Sequence, residues 1–255
     1  MSIRHLLDIE FNALGYEYIT YELKKEYLIN KKKVYRFMQE HNLLLGTMIQ
    51  PTTGKREFVK FKRIEATKPL EYLCWDIKYV WIQGERRNYY LLSVIDVYSR
   101  KILDWVFQGS IRQMDLINLL RRVNQSNEPK GVILRNDNGS QFIAHSVRNF
   151  LKNSEVKQEF THVATPEENS YIEAFHSILE HDVISRNEFA SYYESKEMLK
   201  RYFSHYNHYR LHHSIGYVTA PAARTSAKMG GSSSSLRHNL FRKSVQLIRA
   251  KTSFF

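Results

Sequence analysis

The chain has 255 residues, with 38 Lys or Arg against 26 Asp or Glu, so its formal net charge is +12. A hydrophobic fraction of 43% is enough for a packed core and excludes wholesale disorder. One cysteine, Cys74, excludes an internal disulfide, and no apolar run approaches the roughly 20 residues a membrane helix needs. So large an excess of cations attracts polyanions, and counterion release from phosphates makes nucleic acid the first partner to consider. Residues 1–14 carry no signal-peptide pattern, so a soluble cytoplasmic protein without a membrane partner is expected.

Residues 15–46 read as two short helices. Ile19, Leu23 and Tyr27 recur every four residues and form an apolar stripe on the first. Asn30 is placed to cap the second, which carries Val34, Phe37 and Met38 on one face. Lys31, Lys32, Lys33 and Arg36 lie near its start. Helix, short turn and basic second helix describe either a helix-turn-helix meeting DNA or a helical hairpin with a solvated basic face. Residues 50–70, broken by Pro51, Gly54 and Pro69 and rich in Lys and Arg, form a basic linker.

Strands follow at 72–82, 89–97 and 101–107, rich in aromatic and β-branched residues and joined by tight breaks at Gln83-Gly84 and Tyr98-Ser99-Arg100. The second is apolar at nearly every position, as in a strand covered on both faces. A helix over 112–124, a short strand at 131–135, a helix over 140–151, a polar edge strand at 156–163 and a helix over 169–184 complete the pattern. Three antiparallel strands leading into alternating helices and strands make an α/β fold, a mixed sheet flanked by helices in the ribonuclease H-like order. Residues 71–224 are expected to form this core, with 1–49 as the DNA-binding segment and 225–255 as a flexible basic tail.

Three acids stand at informative places: Asp76 in the first strand, Asp137 where the fourth ends, and Glu173 on the last long helix. On that helix Tyr171, Ile172, Phe175, Ile178, Leu179 and Val183 form the expected buried stripe, with Asn169, Glu173, His176 and Glu180 opposite. Carboxylates gathered at a sheet edge repel unless cations hold them, and hard oxygen ligands suit Mg²⁺ or Mn²⁺. Two such ions about 3.5–4 Å apart assist an in-line phosphoryl displacement, with Asp76 bridging both and Asp137 and Glu173 each completing one.

Residues 138–172, thirty-five in all, separate Asp137 from Glu173. This spacing resembles the Asp, Asp, 35-residue gap, Glu signature of retroviral integrases and bacterial insertion-sequence transposases. The words Asp137-Asn138-Gly139-Ser140-Gln141-Phe142 and Asn169-x-x-x-Glu173 match that group. So do Tyr206-Asn207-x-x-Arg210-x-His212 and the following Gly216, Tyr217 and Pro221. The resemblance, over roughly residues 10–222, implies a metal-dependent transposase that cleaves 3′ ends and transfers strands on double-stranded DNA. It also implies a homo-oligomer on DNA and an upstream-frame partner, this chain being the downstream catalytic frame alone. Lys31, Lys32, Lys33, Arg36, Lys78, Asn169, Arg210 and His212 are its expected DNA contacts. A ribonuclease H-like nuclease and a catalytically silent DNA-binding regulator are the alternatives.

Two positions depart from the family pattern. Asn136 stands where Ser is usual, and Glu180 where many relatives carry Lys or Arg. Either Arg186 or Lys78 supplies the missing cation, or the grip on the DNA end is weakened. His205, His208, His212 and His213 cluster at near-helical spacing, but with the lone cysteine far away zinc is not expected. Trp75, Trp81 and Trp105 read as core, the tyrosines from Tyr192 to Tyr209 as helix packing, and Cys74 as inert.

Overall fold

The computed structural model describes residues 3–7, 15–44, 64–127, 131–162 and 165–228. Most of the basic linker and the tail from residue 229 lie outside these. The described residues divide into two compact units. The first holds α1 (Ile3–Leu7), α2 (Tyr16–Leu23) and α3 (Lys31–Glu40), packed through Leu6, Ile19, Leu23, Val34 and Met38. Asn30 caps α3 as expected, its side chain accepting from Lys32 N at 2.7 Å. Two apolar assignments shift. Tyr27 lies beyond α2 and is exposed, and Phe37 is exposed against the His41 ring.

The second unit is built on β1 (Tyr72–Ile82), β2 (Arg87–Asp96), β3 (Ile102–Gln108), β4 (Ile133–Asn136) and β5 (Lys157–Phe160). Their order is β3-β2-β1-β4-β5, with β1–β2 and β2–β3 antiparallel and β1–β4 and β4–β5 parallel. This is the mixed sheet of the ribonuclease H-like fold. Helices α4 (Gln113–Asn127), α5 (Ser140–Ile143), α6 (His145–Asn153), α7 (Ser170–Asp182), α8 (Tyr192–His208) and α9 (Ala220–Lys228) complete the unit. The single helix expected over 140–151 is two, because Ala144 adopts φ −55°, ψ 136° and breaks the turn.

Strand alternation divides the core. Trp75, Leu92 and Val94 join Leu116, Leu120 and Val123 of α4 and Phe142, Val147 and Leu151 of α5 and α6 on one face. Asp76, Lys78, Ser93 and Trp105 point to the other, where α7 and α8 pack; Trp105 stacks on Phe203 of α8 at 4.7 Å. β2 is buried from Leu91 to Asp96, as a strand covered on both faces must be. Trp81, expected in the core, is half exposed near the far end of β1, where its indole N–H donates to Gln83 at 2.8 Å.

Both hairpins form where expected. In the first, Gly84 N donates to Phe189 O at 3.0 Å, and a Cβ there would lie 2.0 Å from Ala190 O, so only glycine fits. In the second, the fully buried Asp96 accepts from Leu70 N, Tyr98 N and Ser99 Oγ, which fixes the turn that carries Arg100 at φ 65°. No helix among the described residues is long and apolar enough to cross a membrane.

The outer edge of β3 is closed by a side chain. Asn207 of α8 accepts from Ile102 N and donates to Ile102 O, both at 2.9 Å, so its amide replaces a neighbouring strand. Asn207→Ala is expected to destabilise the protein by about 1–3 kcal/mol, since it leaves a half-buried N–H and C=O unpaired. Urea unfolding measures it.

Candidate active site

The pairing of β1 with β4 brings the first two acids together. Tyr72, Leu73 and Cys74 pair with Ile133, Leu134 and Arg135, and two more residues of that parallel register bring Asp137 beside Asp76. Buried Asn136 locks the junction: its Oδ1 accepts from Trp75 Nε1 and Gln158 Nε2 at 3.0 Å each, and its Nδ2 donates to Asp137 O at 2.5 Å. Asn136 serves these three partners from two separated atoms, an oxygen that accepts twice and a nitrogen that donates, where serine would have a single oxygen on a shorter side chain.

Past the strand, Asp137 Oδ1 accepts from Gly139 N at 2.9 Å. A Cβ on Gly139 would stand 3.0 Å from that same oxygen and 3.2 Å from the Phe142 ring, so a side chain there presses the carboxylate and the ring aside by a few tenths of an ångström. Phe142 itself packs on Trp75, with ring centroids 4.9 Å apart. The word from Asp137 to Phe142 therefore describes one turn wrapped around one carboxylate.

Glu173 arrives on α7, which crosses β1 and β2. The approach to α7 is anchored by Arg135, which donates to Glu159 through Nε and Nη2 at 2.8 and 2.6 Å and to Glu168 O at 2.9 Å. Asn169 is buried at the N-terminus of α7, donating to Trp75 O at 3.4 Å; its Oδ1 has no partner among the described residues. The polar face expected on α7 is real, but it lies against the sheet rather than in solvent. His176 is buried there, Nε2 3.1 Å from Ser93 Oγ and Nδ1 3.4 Å from Asp76 Oδ2. The sequence treated it only as a polar-face residue, although its place one turn after Glu173 was a usable signal.

The acids feel one another. Glu173 is held above the usual carboxylate range by burial first, then by the charges of Asp76, Glu167 and Asp137. Asp137 is raised by burial, pulled back by the Gly139 N–H, and raised again by Asp76. Among the described residues no three His, Cys, Asp or Glu side chains stand close enough to form a ready-made metal cage. The donor set nonetheless fits a hard divalent cation, because Mg²⁺ keeps several waters and needs only one or two carboxylates at a time.

With this geometry in hand, the comparisons with known proteins agree. An integrase core domain family matches residues 66–166, and a second family of that description matches residues 154–219. The chain belongs with the integrase-core insertion-sequence transposases. A transposase for insertion sequence IS904 of Lactococcus lactis is 24% identical over 155 residues, 60% of this chain and 60% of that protein. The transposase InsD of Escherichia coli element IS2 is 25% identical over 230 residues, 85% of this chain and 75% of that one. A simian T-cell lymphotropic virus intasome chain superimposes with a TM-score of 0.56 at 13% identity, over 84% of this chain and 72% of that one, which supports the fold.

The residues expected to touch DNA divide into two groups. Lys31, Lys32, Lys33 and Arg36 are exposed on α3, Lys31 also lying 3.4 Å from Glu17. Lys78, two residues beyond Asp76 on the same strand face, pairs with Glu180 of α7 at 2.8 Å. It is therefore Lys78, not Arg186, that meets the unexpected acid; Arg186 Nε donates to His181 O at 2.9 Å.

Of the other three expected DNA contacts, Asn169 and His212 are buried and Arg210 is partly buried, each packed against the protein's own side chains or backbone. Arg210 donates to Asp182 at the end of α7 at 2.7 Å, and Tyr202 donates to the same oxygen at 3.0 Å. His212 is buried edge-on against Tyr206 at 5.1 Å, its Nε2 without a partner among the described residues. The Tyr-Asn-x-x-Arg-x-His segment of this integrase core is thus a brace that joins α8 to β3 and α7. Tyr202 and Tyr206 are buried as expected, whereas Tyr193 and Tyr209 are exposed. Burial pushes the Cys74 thiol up to about 12, in keeping with an inert side chain.

Two predictions follow from the charges. Burial, then Arg210 and Arg100, depress His212 to about 3, so below the unfolded value of about 6.5 only the unfolded chain binds that proton. Stability is therefore present above that pH and falls by a few kcal/mol as pH drops toward 3; His212→Asn flattens this limb in denaturation curves taken from pH 7 to pH 4. Glu173 has the opposite sign: ionising it is harder in the folded state, so its charge costs stability as pH rises through the carboxylate range. Glu173→Gln should raise the melting temperature of the metal-free protein at pH 7, as differential scanning calorimetry would record.

Proposed function

We propose that the protein is a DNA transposase that cleaves the 3′ end of an insertion sequence and joins it to a target strand, using Asp76, Asp137 and Glu173. The observation that carries this reading is the meeting of Asp76 and Asp137 at adjacent strands under the helix that brings Glu173, in a chain of integrase-core kinship. Asp137 and Glu173, whose proton affinities are raised by burial and then by neighbouring acids, form with Asp76 a poor surface cluster and a good ligand set for divalent cations.

Asp76 and Asp137 would hold one Mg²⁺ or Mn²⁺, and Asp76 and Glu173 a second. Bound there, the cations supply charge neutralisation at the phosphodiester and a lowered pKa for the attacking hydroxyl. The chain's own residues do the positioning. Asn136 and the Gly139 N–H orient Asp137, Arg135 anchors the approach to Glu173, and Lys78 presents a cation on the same face as Asp76. A phosphodiester held there undergoes in-line displacement by water and then by the freed 3′-hydroxyl. Water cleaves the first phosphodiester and frees the 3′-hydroxyl; the second step trades one phosphoester bond for another, so no ATP is consumed and no covalent protein intermediate forms.

The basic start of α3 is assigned to the DNA backbone: four exposed cations within two turns of helix suit phosphate binding beside a capped N-terminus. Double-stranded DNA is thus the substrate, engaged by a homo-oligomer that brings two ends together, with an upstream-frame partner as a further subunit. The protein is placed in the bacterial cytoplasm, on the nucleoid when bound.

Incubating the protein with labelled DNA ends from just outside its gene, in Mg²⁺, Mn²⁺ or EDTA, tests this. Joined products are expected only with metal, and Glu173→Gln should reduce them on the order of 10³-fold or more. Cutting without joining means a nuclease of the same fold. Binding with neither, even after an upstream-frame partner is added, means a silent regulator.

A further inference from the structure

His176 is the buried polar group that the chemistry above leaves unused. It belongs to α7, three residues after Glu173, so the two side chains leave the helix on neighbouring faces. Its ring lies between two residues that β-pairing already makes neighbours, since Asp76 of β1 stands opposite Ser93 of β2. Nε2 is 3.1 Å from Ser93 Oγ, and Nδ1 is 3.4 Å from Asp76 Oδ2. Ser93 is fully buried, and its hydroxyl has no other hydrogen-bond partner among the described residues.

We infer that His176 is a positioning residue: with Ser93 holding its far nitrogen, it sets the orientation of the Asp76 carboxylate toward divalent cations. An ionised carboxylate oxygen only accepts, so the nitrogen facing Asp76 carries the hydrogen. The 3.4 Å separation is at the outer edge of hydrogen bonding, within a small rotation of either side chain. The other oxygen, Oδ1, accepts from Ile77 N at 2.8 Å. Oδ1 thus has one hydrogen-bonded donor, Oδ2 has the ring nitrogen beside it, and each oxygen keeps a further lone pair, which is what a carboxylate shared between two cations needs. Partners behind a ligating carboxylate commonly alter metal affinity 10- to 100-fold. The same contact pins α7 to β1, so it also sets where Glu173 stands relative to Asp76.

This inference rests on the three-carboxylate reading, and its test separates the two. The readout is the Mn²⁺ concentration that half-saturates the rise in melting temperature of the whole chain without DNA. His176→Asn places an amide nitrogen where Nδ1 was and keeps the donor to Asp76. His176→Gln reaches instead to the place of Nε2 and loses that donor. The Gln variant is expected to need about 10- to 100-fold more Mn²⁺, the Asn variant within about threefold of the unmodified protein. Ser93→Ala, which leaves the ring in place but unheld, should move the midpoint in the same direction by about three- to tenfold. In strand-transfer assays the Gln defect should shrink at saturating Mn²⁺.

Equal midpoints for the Gln, Ala and unmodified proteins overturn the inference alone, as does an Asn variant shifted as far as Gln. A chain that shows no Mn²⁺ response even before substitution overturns the three-carboxylate reading and this inference with it.

Discussion

Asp76 and Asp137 belong to segments 61 residues apart, and the parallel pairing of β1 with β4 makes them neighbours. Parallel pairing requires a crossover, and here β2, β3 and α4 occupy that interval. The crossover places α4 on the face away from Asp76 and leaves the other for α7. Slipping β4 by one residue would send Asp137 to the α4 side and Asn136 to the acid side. The Trp75–Asn136 hydrogen bond and the burial of Leu134 under α4 oppose that slip.

Gathering like charges at half-buried positions costs free energy, and Asp137 and Glu173 are raised in proton affinity by burial first and by the neighbouring acids second. The surrounding structure tolerates it because the supporting elements are over-determined. Asn136 has three partners, Arg135 ties β4 to β5 and to the approach of α7, and Asp182 with Tyr202 and Arg210 closes the far end of that helix. A buried pair such as Asp182–Arg210 is weak evidence for net stability, since desolvation consumes much of its attraction. Its geometric consequence is firmer. Removing either partner strands the other, so the end of α7 and the chain after α8 keep one arrangement.

Much of this was readable in the sequence for a physical reason. Strands covered on both faces and hairpins with sharp breaks leave strong local patterns, so β1 was bounded correctly at both ends and β2 to within two residues. The three acids stood out through spacing and flanking words. What stayed hidden was the direction of polar side chains. Helical periodicity separates a polar face from an apolar one, but it cannot say that the polar face of α7 would dock on Ser93 and Asp76. Arg210 and His212 were named from motif words, which carry identity without depth, and only the structure shows one paired with Asp182 and the other packed on Tyr206. Trp81 failed differently: its strand outruns the helix that covers Trp75.

The acid at position 180 takes on a different meaning once Lys78 is beside it. An acid on the face of α7 that carries Glu173 would by itself repel a phosphate, yet Lys78 approaches it from the strand that carries Asp76. The pair is partly exposed, and such pairs are worth about 0–1 kcal/mol, so little holds the lysine to the glutamate once a stronger anion arrives. A phosphodiester is such an anion. Lys78 from β1 and Glu180 from α7 thus balance each other's charge beside the three acids. The pair also couples the two elements that carry Asp76 and Glu173, as the His176–Asp76 contact does deeper in the site.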